Sequence, residues 1–234
     1  MKIGAFLFSF VTMIQKNVIV PKTARYFQLG EVSNQTKDIW FVFHGYGQLA
    51  NYFIKKFEVL NNGKNLIIAP EALHRFYWKD FTGRVGASWM TKEERNDEIT
   101  DYINYLNIVF DEVLSVFENK QIKINVIGFS QGTATVCRWM ANKKPEIKNL
   151  ILWGGFFPHD LNFEQDKEYF NSSKPHILIG TNDEFYNLET IEKHRRMLVE
   201  KGFDSKFTHF EGKHEINEDV LLQLMETLQA KTPN

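Results

Sequence analysis

The chain predicts an α/β fold: a mostly parallel central sheet with helices on both faces. Three observations predict it. Short apolar runs alternate with amphipathic stretches along the chain. Gly128-Phe129-Ser130-Gln131-Gly132 has the G-x-S-x-G form, with an apolar run before it and a helix-competent stretch, Thr133 to Asn142, after it. Polar or glycine-rich clusters follow four of the apolar runs, where open parallel sheets bind ligands.

Ile39–Phe43 reads as a buried strand, and Asn51–Leu60 as a helix with Tyr52, Phe53, Lys56, Phe57 and Leu60 spaced for one face. Leu66–Ala69 is a strand stopped by Pro70, and Glu93–Phe117 a long amphipathic helix. Ile124–Ile127 leads into the Ser130 turn. Leu150–Trp153, closed by Gly154-Gly155, and Ile177–Ile179, ended by Gly180, are further strands. Leu188–Val199 reads as a helix with Gly202 just past its end, Lys206–Phe210 as the last strand and Asn217–Leu228 as the last helix.

The 234 residues suit one large domain, 1–234, and a 43% hydrophobic content suits a sizeable core. The 28 basic and 29 acidic residues nearly cancel, so neither a nucleic-acid partner nor a solvating acidic arm is expected. With one cysteine, Cys137, no internal disulfide can form, and a reducing, cytoplasmic setting is expected. Lys2 precedes an apolar run, Ile3 to Ile14, too short to span a bilayer. It has the size of a signal-peptide core but no A-x-A-like site follows. Residues 1–12 are alternatively an extension ahead of a start at Met13, or an added strand or helix. Export and stable membrane insertion are not expected.

A serine on a sharp strand-to-helix turn adopts a strained backbone and lifts its hydroxyl clear of the sheet. Small neighbours are needed there because a side chain would collide with adjacent backbone. The order Ser130, Asp183, His214 places a nucleophile, an acid and a base after three different strands, with 53 residues from 130 to 183 and 31 from 183 to 214. A serine hydroxyl needs an imidazole to take its proton, and the imidazole needs a carboxylate to hold its tautomer. The oxyanion that then forms needs N–H donors already aimed at it. Gln131, first in the new helix, suits that role, and Gly45 and Gly47 let the loop after Phe43 approach closely. Each residue also has a structural reading. His44 fixes its loop by hydrogen bonding, Asp183 caps the helix before Leu188, Glu184 rivals it as the acid, and His214 sits in a solvated loop. His74, His159, His176 and His194 share no spacing. His209 and His214, on a strand and its loop, do not match the helical H-E-x-x-H metal pattern, so no metal or other cofactor is expected.

The chain resembles the small α/β-hydrolases of the carboxylesterase, phospholipase and acyl-protein thioesterase family. The resemblance rests on six segments in order: His44-Gly45-Tyr46-Gly47, Ala69-Pro70-Glu71-Ala72, Ala87-Ser88-Trp89, Gly128-Phe129-Ser130-Gln131-Gly132, Gly180-Thr181-Asn182-Asp183 and Gly212-Lys213-His214-Glu215. Together they span roughly residues 39 to 216. The resemblance implies Ser130 as nucleophile, His214 as base then acid, Asp183 rather than Glu184 as the orienting carboxylate, and the N–H groups of Tyr46 and Gln131 as oxyanion donors. It implies a small-molecule ester or thioester as substrate. Tyr46, Trp89, Phe156 and Phe157 are expected to line the substrate pocket. Three departures bear on the acyl preference: Gly47-Gln48-Leu49-Ala50 where Gly-Asp is frequent in the family, Thr133-Ala134-Thr135 in the elbow helix, and the bulky Trp153–Pro158 segment. Dienelactone hydrolases share the fold but use cysteine; Ser130 argues against that chemistry.

The expected activity is hydrolysis of esters or thioesters through an acyl-serine. Acyl transfer to another acceptor, ligand capture without turnover and a pure interaction domain are the alternatives. His214 must be neutral to accept a proton, so activity is expected to fall on acidification along a single limb, measurable as kcat/KM against pH.

Overall fold

The computed structural model describes residues 13–117 and 120–230; the expectations for residues 1–12 lie outside the described residues. Met13 and Ile14, which close the N-terminal apolar run, are exposed and in no regular element. Nine strands and six helices follow in the described chain: β1 Tyr26–Leu29, β2 Asp38–Phe43, α1 Ala50–Phe53, β3 Asn65–Pro70, β4 His74–Tyr77, β5 Val85–Ser88, α2 Arg95–Ser115, β6 Lys123–Phe129, α3 Gln131–Lys143, β7 Asn149–Trp153, α4 Phe163–Ser172, β8 His176–Gly180, α5 Leu188–Glu200, β9 Lys206–Phe210 and α6 Glu218–Ala230. Seven strands form one sheet in the order β1-β3-β2-β6-β7-β8-β9, parallel except for the β1–β3 pair. β4 and β5 make a separate antiparallel hairpin.

The period-2 geometry of each strand divides its side chains between two apolar layers. Ile39, Phe41 and Phe43 of β2, and Ile124 and Val126 of β6, face a layer closed by α2, α3, α4 and α5. Trp40 and Val42, with Ile127 and Phe129, face a layer closed by α1 and α6. Every sheet position from Ile39 to Phe43 is buried, which is why these runs read as continuous rather than alternating.

Several elements differ from the reading of the sequence. The helix expected over Asn51–Leu60 is one α-turn followed by a 3₁₀ segment, Ile54–Leu60. Its buried residues Ile54, Phe57 and Leu60 fall at a spacing of three, the 3₁₀ period. α2 starts at Arg95 because Glu94 takes a left-handed conformation, φ 44°. Pro70 ends β3 from inside the strand, paired with Tyr26 at the antiparallel edge. β1, the β4–β5 hairpin and α4 went unread. β1, β4 and β5 are short, and β1 and β4 are only half-buried, so their apolar signal is weak. α4 buries few side chains, chiefly Phe163 and Phe170, and is announced mainly by Asn162, whose side chain accepts from Gln165 N–H. Lys206–Phe210 matches β9 residue for residue.

Phe41 packs on both Phe110 and Trp139, with ring centroids 5.4 and 6.2 Å away. Phe41→Ala should cost about 3–5 kcal/mol in urea unfolding. Phe81→Ala, at a ring that is 90% exposed, should stay within about 0.5 kcal/mol of the parent.

Candidate active site

Ser130 stands between β6 and α3 with φ 53° and ψ −118°, a conformation costly for any residue with a side chain. The turn can close this sharply because both flanking positions are glycines. A Cβ on Gly128 would lie 2.6 Å from the Gly132 carbonyl oxygen, and one on Gly132 would lie 2.4 Å from that of Phe43. The Ser130 N–H donates to Trp153 O at 2.9 Å, so the strained residue is pinned to β7. Thr133 Oγ1 donates to Ser130 O at 2.7 Å, which fastens the first turn of α3.

The loops after β8 and β9 extend the ladder beyond the strand ends. Thr181 N–H donates to Phe210 O at 2.8 Å and Asn182 N–H to Gly212 O at 2.9 Å. This sets Asp183 beside His214: His214 Nδ1 lies 2.7 Å from Asp183 Oδ2, with the two side chains 10% and 0% exposed. The other carboxylate oxygen accepts Phe185 N–H at 2.9 Å. A carboxylate only accepts, so Nδ1 carries a proton, and in the neutral imidazole the lone pair is therefore on Nε2. The cap of α5 is Asn187 and not Asp183: its side chain accepts Thr190 N–H. Glu184, the rival acid, accepts the His214 backbone N–H at 3.4 Å and not the ring nitrogen, which Asp183 takes. His214 packs on Phe129, the residue before Ser130, at 5.0 Å between centroids, and a Cβ on Gly154 would lie 3.0 Å from its Cε1. No hydrogen bond joins Ser130 Oγ to His214 among the described residues.

The loop after β2 comes close to the serine: a Cβ on Gly45 would lie 3.1 Å from Ser130 Cβ. His44 fixes this loop. It is fully buried, accepts Ala72 N–H on Nε2 at 3.0 Å and donates from Nδ1 to Gly45 O at 2.8 Å. Gln48, a departure from the family pattern, accepts Gly45 N–H at 2.8 Å through its side chain. Tyr46 N–H makes no hydrogen bond within the described chain. Gln131 opens α3, so its N–H has no intrahelical partner. The Gln131 side chain is tied to the segment after β5: it accepts Trp89 N–H at 3.0 Å and donates to Met90 O at 2.9 Å.

Three of the four rings expected in a substrate pocket belong to the core instead. Trp89 is fully buried, stacks on His44 at 5.0 Å and donates from Nε1 to His44 O at 2.8 Å. Phe157 packs on Phe170 and Phe203, and Phe156 stacks on His194 at 4.1 Å. The reason is packing: Trp89 lies against Phe43, His44 and Tyr102 of α2, Phe156 against α5 and Phe157 against α4, where apolar volume is needed. Tyr46 alone of the four is exposed. Phe185 was missed. It is 66% exposed with its ring 4.5 Å from that of His214, and its only signal was its place two residues after Asp183.

Residues 30–232 match the family model described as Phospholipase/Carboxylesterase. The chain belongs to that family. No curated protein sequence matches it. Among solved structures it is similar to acyl-protein thioesterase 2 of Zea mays, at 16% identity over 89% of this chain and 99% of that one, with a TM-score of 0.64. Esterase PE8 aligns at 19% identity over 89% and 99%, TM-score 0.61. A carboxylesterase from Mesorhizobium loti aligns at 12% over 87% and 94%, TM-score 0.64. At these identities the likeness is one of fold, the α/β-hydrolase fold.

This phospholipase/carboxylesterase-family chain gathers no three or more His, Cys, Asp or Glu side chains as metal ligands among its described residues. No helix among them is long and apolar enough to cross a membrane. A further clamp holds the loop after β7. Arg138 donates to both oxygens of Asp160 at 3.0–3.1 Å, and Arg95 adds a bond at 2.8 Å. Burial alone would raise the Asp160 pKa, but the two guanidinium groups outweigh it and hold it at about 2.

Burial lowers the His44 pKa from 6.5 to about 4. Between these values the unfolded chain binds a proton that the folded chain refuses. Stability should therefore fall as pH drops from 6.5 toward 4, by roughly 3 kcal/mol from this group, and His44→Gln should flatten that part of the curve in urea unfolding at stepped pH.

Proposed function

We propose that the protein is a serine hydrolase that cleaves carboxylic esters or thioesters through an acyl-serine intermediate. The observation that carries this reading is the buried 2.7 Å bond between His214 Nδ1 and Asp183 Oδ2 beside a serine held at φ 53°. Membership of a phospholipase/carboxylesterase family supports the reaction class.

In this reading Ser130 Oγ attacks the acyl carbonyl as His214 Nε2 takes its proton. Asp183 stabilises the imidazolium and keeps the ring oriented. The oxyanion accepts from Tyr46 N–H and Gln131 N–H, the donors that no protein acceptor claims. Collapse breaks the bond to the alcohol or thiol, which leaves with the proton from His214. Water then attacks the acyl-Ser130 ester, with His214 again as base, and the carboxylic acid departs. The Ser130–His214 contact tightens when substrate fills the gap between them. Tyr46 and Phe185, exposed rings at the serine and histidine sides, give the acyl group and the leaving group apolar surfaces to lie against.

The test is a series of chromogenic esters and thioesters of increasing acyl length, assayed with the parent and with two variants. Ser130→Ala should lose on the order of 10⁴-fold or more in kcat, and Asp183→Asn about 10⁴-fold. Equal rates in the parent and Ser130→Ala would sink the mechanism. Products bearing an added alcohol or amine would shift the reading to acyl transfer.

A further inference from the structure

The loop after β2, residues 44–48, is held by more than its own strand. Gly47 N–H donates to Ala87 O at 2.8 Å and Ala87 N–H to Gln48 O at 3.3 Å, an antiparallel bridge that joins the loop to the β4–β5 hairpin. Trp78, just past β4, donates from Nε1 to Gly47 O at 3.1 Å. Its indole rests so close on Gly47, at φ 72°, that a Cβ there would lie 2.3 Å from Trp78 Cζ2. The far end of the loop is fixed in this way. Gly45, at the near end, is its soft point.

A Cβ on Gly45 would crowd Ser130 Cβ and Phe129 Cδ1, each at 3.1 Å, so the smallest residue suits this place. The cost is freedom, because no residue is less restricted in φ and ψ. Rotation at Gly45 turns the Gly45–Tyr46 peptide, the unit that carries the Tyr46 N–H. That unit is planar and trans, so its N–H points opposite to the Gly45 carbonyl and turns with it. One residue grips Gly45 from both sides. Gln48 N–H donates to Gly45 O at 3.2 Å, and Gln48 Oε1 accepts Gly45 N–H at 2.8 Å. His44 Nδ1 adds a bond to Gly45 O at 2.8 Å. The backbone bond would survive a change of side chain at position 48; the bond through Oε1 would not. Gln48 Nε2 makes no hydrogen bond among the described residues, so the amide oxygen alone ties this side chain to the loop.

We propose that the Gln48 side chain is a positioning residue: by accepting Gly45 N–H it takes away the freedom of that glycine and fixes the aim of the Tyr46 N–H at the oxyanion. The inference rests on the serine-hydrolase reading and extends it to a residue with no part in attack or proton transfer. Full negative charge sits on the substrate oxygen only in the tetrahedral species, so a well-aimed donor gains most there. The contribution of Gln48 therefore falls on kcat rather than on KM.

The test assays the full chain and its Ser130→Ala, Gln48→Met and Gln48→Glu variants on a chromogenic ester, and inhibits each with an alkyl trifluoromethyl ketone. Ser130 Oγ adds to the ketone carbon, its proton passes to His214 Nε2, and the carbonyl electron pair becomes an oxyanion. The inhibition constant of the ketone thus reports the oxyanion donors. Methionine keeps the length of the side chain without the carbonyl; glutamate keeps an acceptor at the same reach. Gln48→Met should lower kcat about 10- to 100-fold with KM within about twofold, and should raise the inhibition constant by the same factor as kcat falls. Gln48→Glu should bind the ketone more tightly than Gln48→Met and less tightly than the parent. A merely structural role would reduce the share of working molecules, which lowers kcat but leaves an inhibition constant unmoved. An unchanged inhibition constant in Gln48→Met, a loss carried by KM alone, or Gln48→Glu no better than Gln48→Met would each overturn the inference. A parent without turnover, or Ser130→Ala as active as the parent, would overturn the serine reading and this inference together. An inactive Ser130→Ala beside an unimpaired Gln48→Met would overturn this inference alone. Should Gln48→Met not fold, Gln48→Ala takes its place.

Discussion

The close approach of α3 to the end of β2 is the constraint on which the carboxyl-end site depends. Gly132 brings its Cα so near the Phe43 carbonyl that no Cβ fits between them. With the helix held there, the chain has too few residues between β6 and α3 to turn gently, and Ser130 takes up the strain at φ 53°. The same approach sets the Gln131 N–H, first in the helix, beside the loop after β2. The strain is stored where the surrounding packing over-determines it, with the Ser130 N–H on Trp153 O and Thr133 Oγ1 on Ser130 O.

The surrounding polar groups mostly serve position. His44 is spent on its own loop, with both ring nitrogens engaged in the interior, and its refusal of a proton near pH 5 is the electrostatic consequence of that burial. Trp89 supports it from the next segment, and the side chain of Gln131 ties that segment back to the elbow helix. His214 has one nitrogen bound to Asp183 and the other unclaimed. The two histidines stand after strands at separate places in the sheet, β2 and β9; one has both ring nitrogens engaged, and the other has Nε2 without a hydrogen bond among the described residues.

The two ends of the sheet are built differently. At the carboxyl ends, loops that continue the ladder carry the polar side chains beyond the strands, where open parallel sheets bind ligands. At the amino ends, the polar side chains lie on the strands themselves and face inward under α1 and α6. Asn125 shows why they persist: its side chain donates to Asp38 and accepts from Asn149, so its burial costs little.

The sequence by itself determined the central strands and the order of the candidate site residues. Runs such as Ile39–Phe43 must be buried on both faces, and Gly128 and Gly132 around Ser130 admit few backbone paths. It also favoured Asp183 over Glu184, through the Gly180–Asp183 motif. It could not determine what depends on neighbours distant along the chain. The 3₁₀ turn of Ile54–Leu60, the half-buried hairpin β4–β5 and the sparse helix α4 take their form from packing, where local periodicity is weak. Trp89, Phe156 and Phe157 are as apolar in a pocket as in a core, and only the placement of α4, α5 and His44 assigned them to the core. The polar row of Asp38, Asn65, Asn125 and Asn149 at the amino ends was invisible for the same reason: its members come from four separate strands, and only sheet register makes them neighbours.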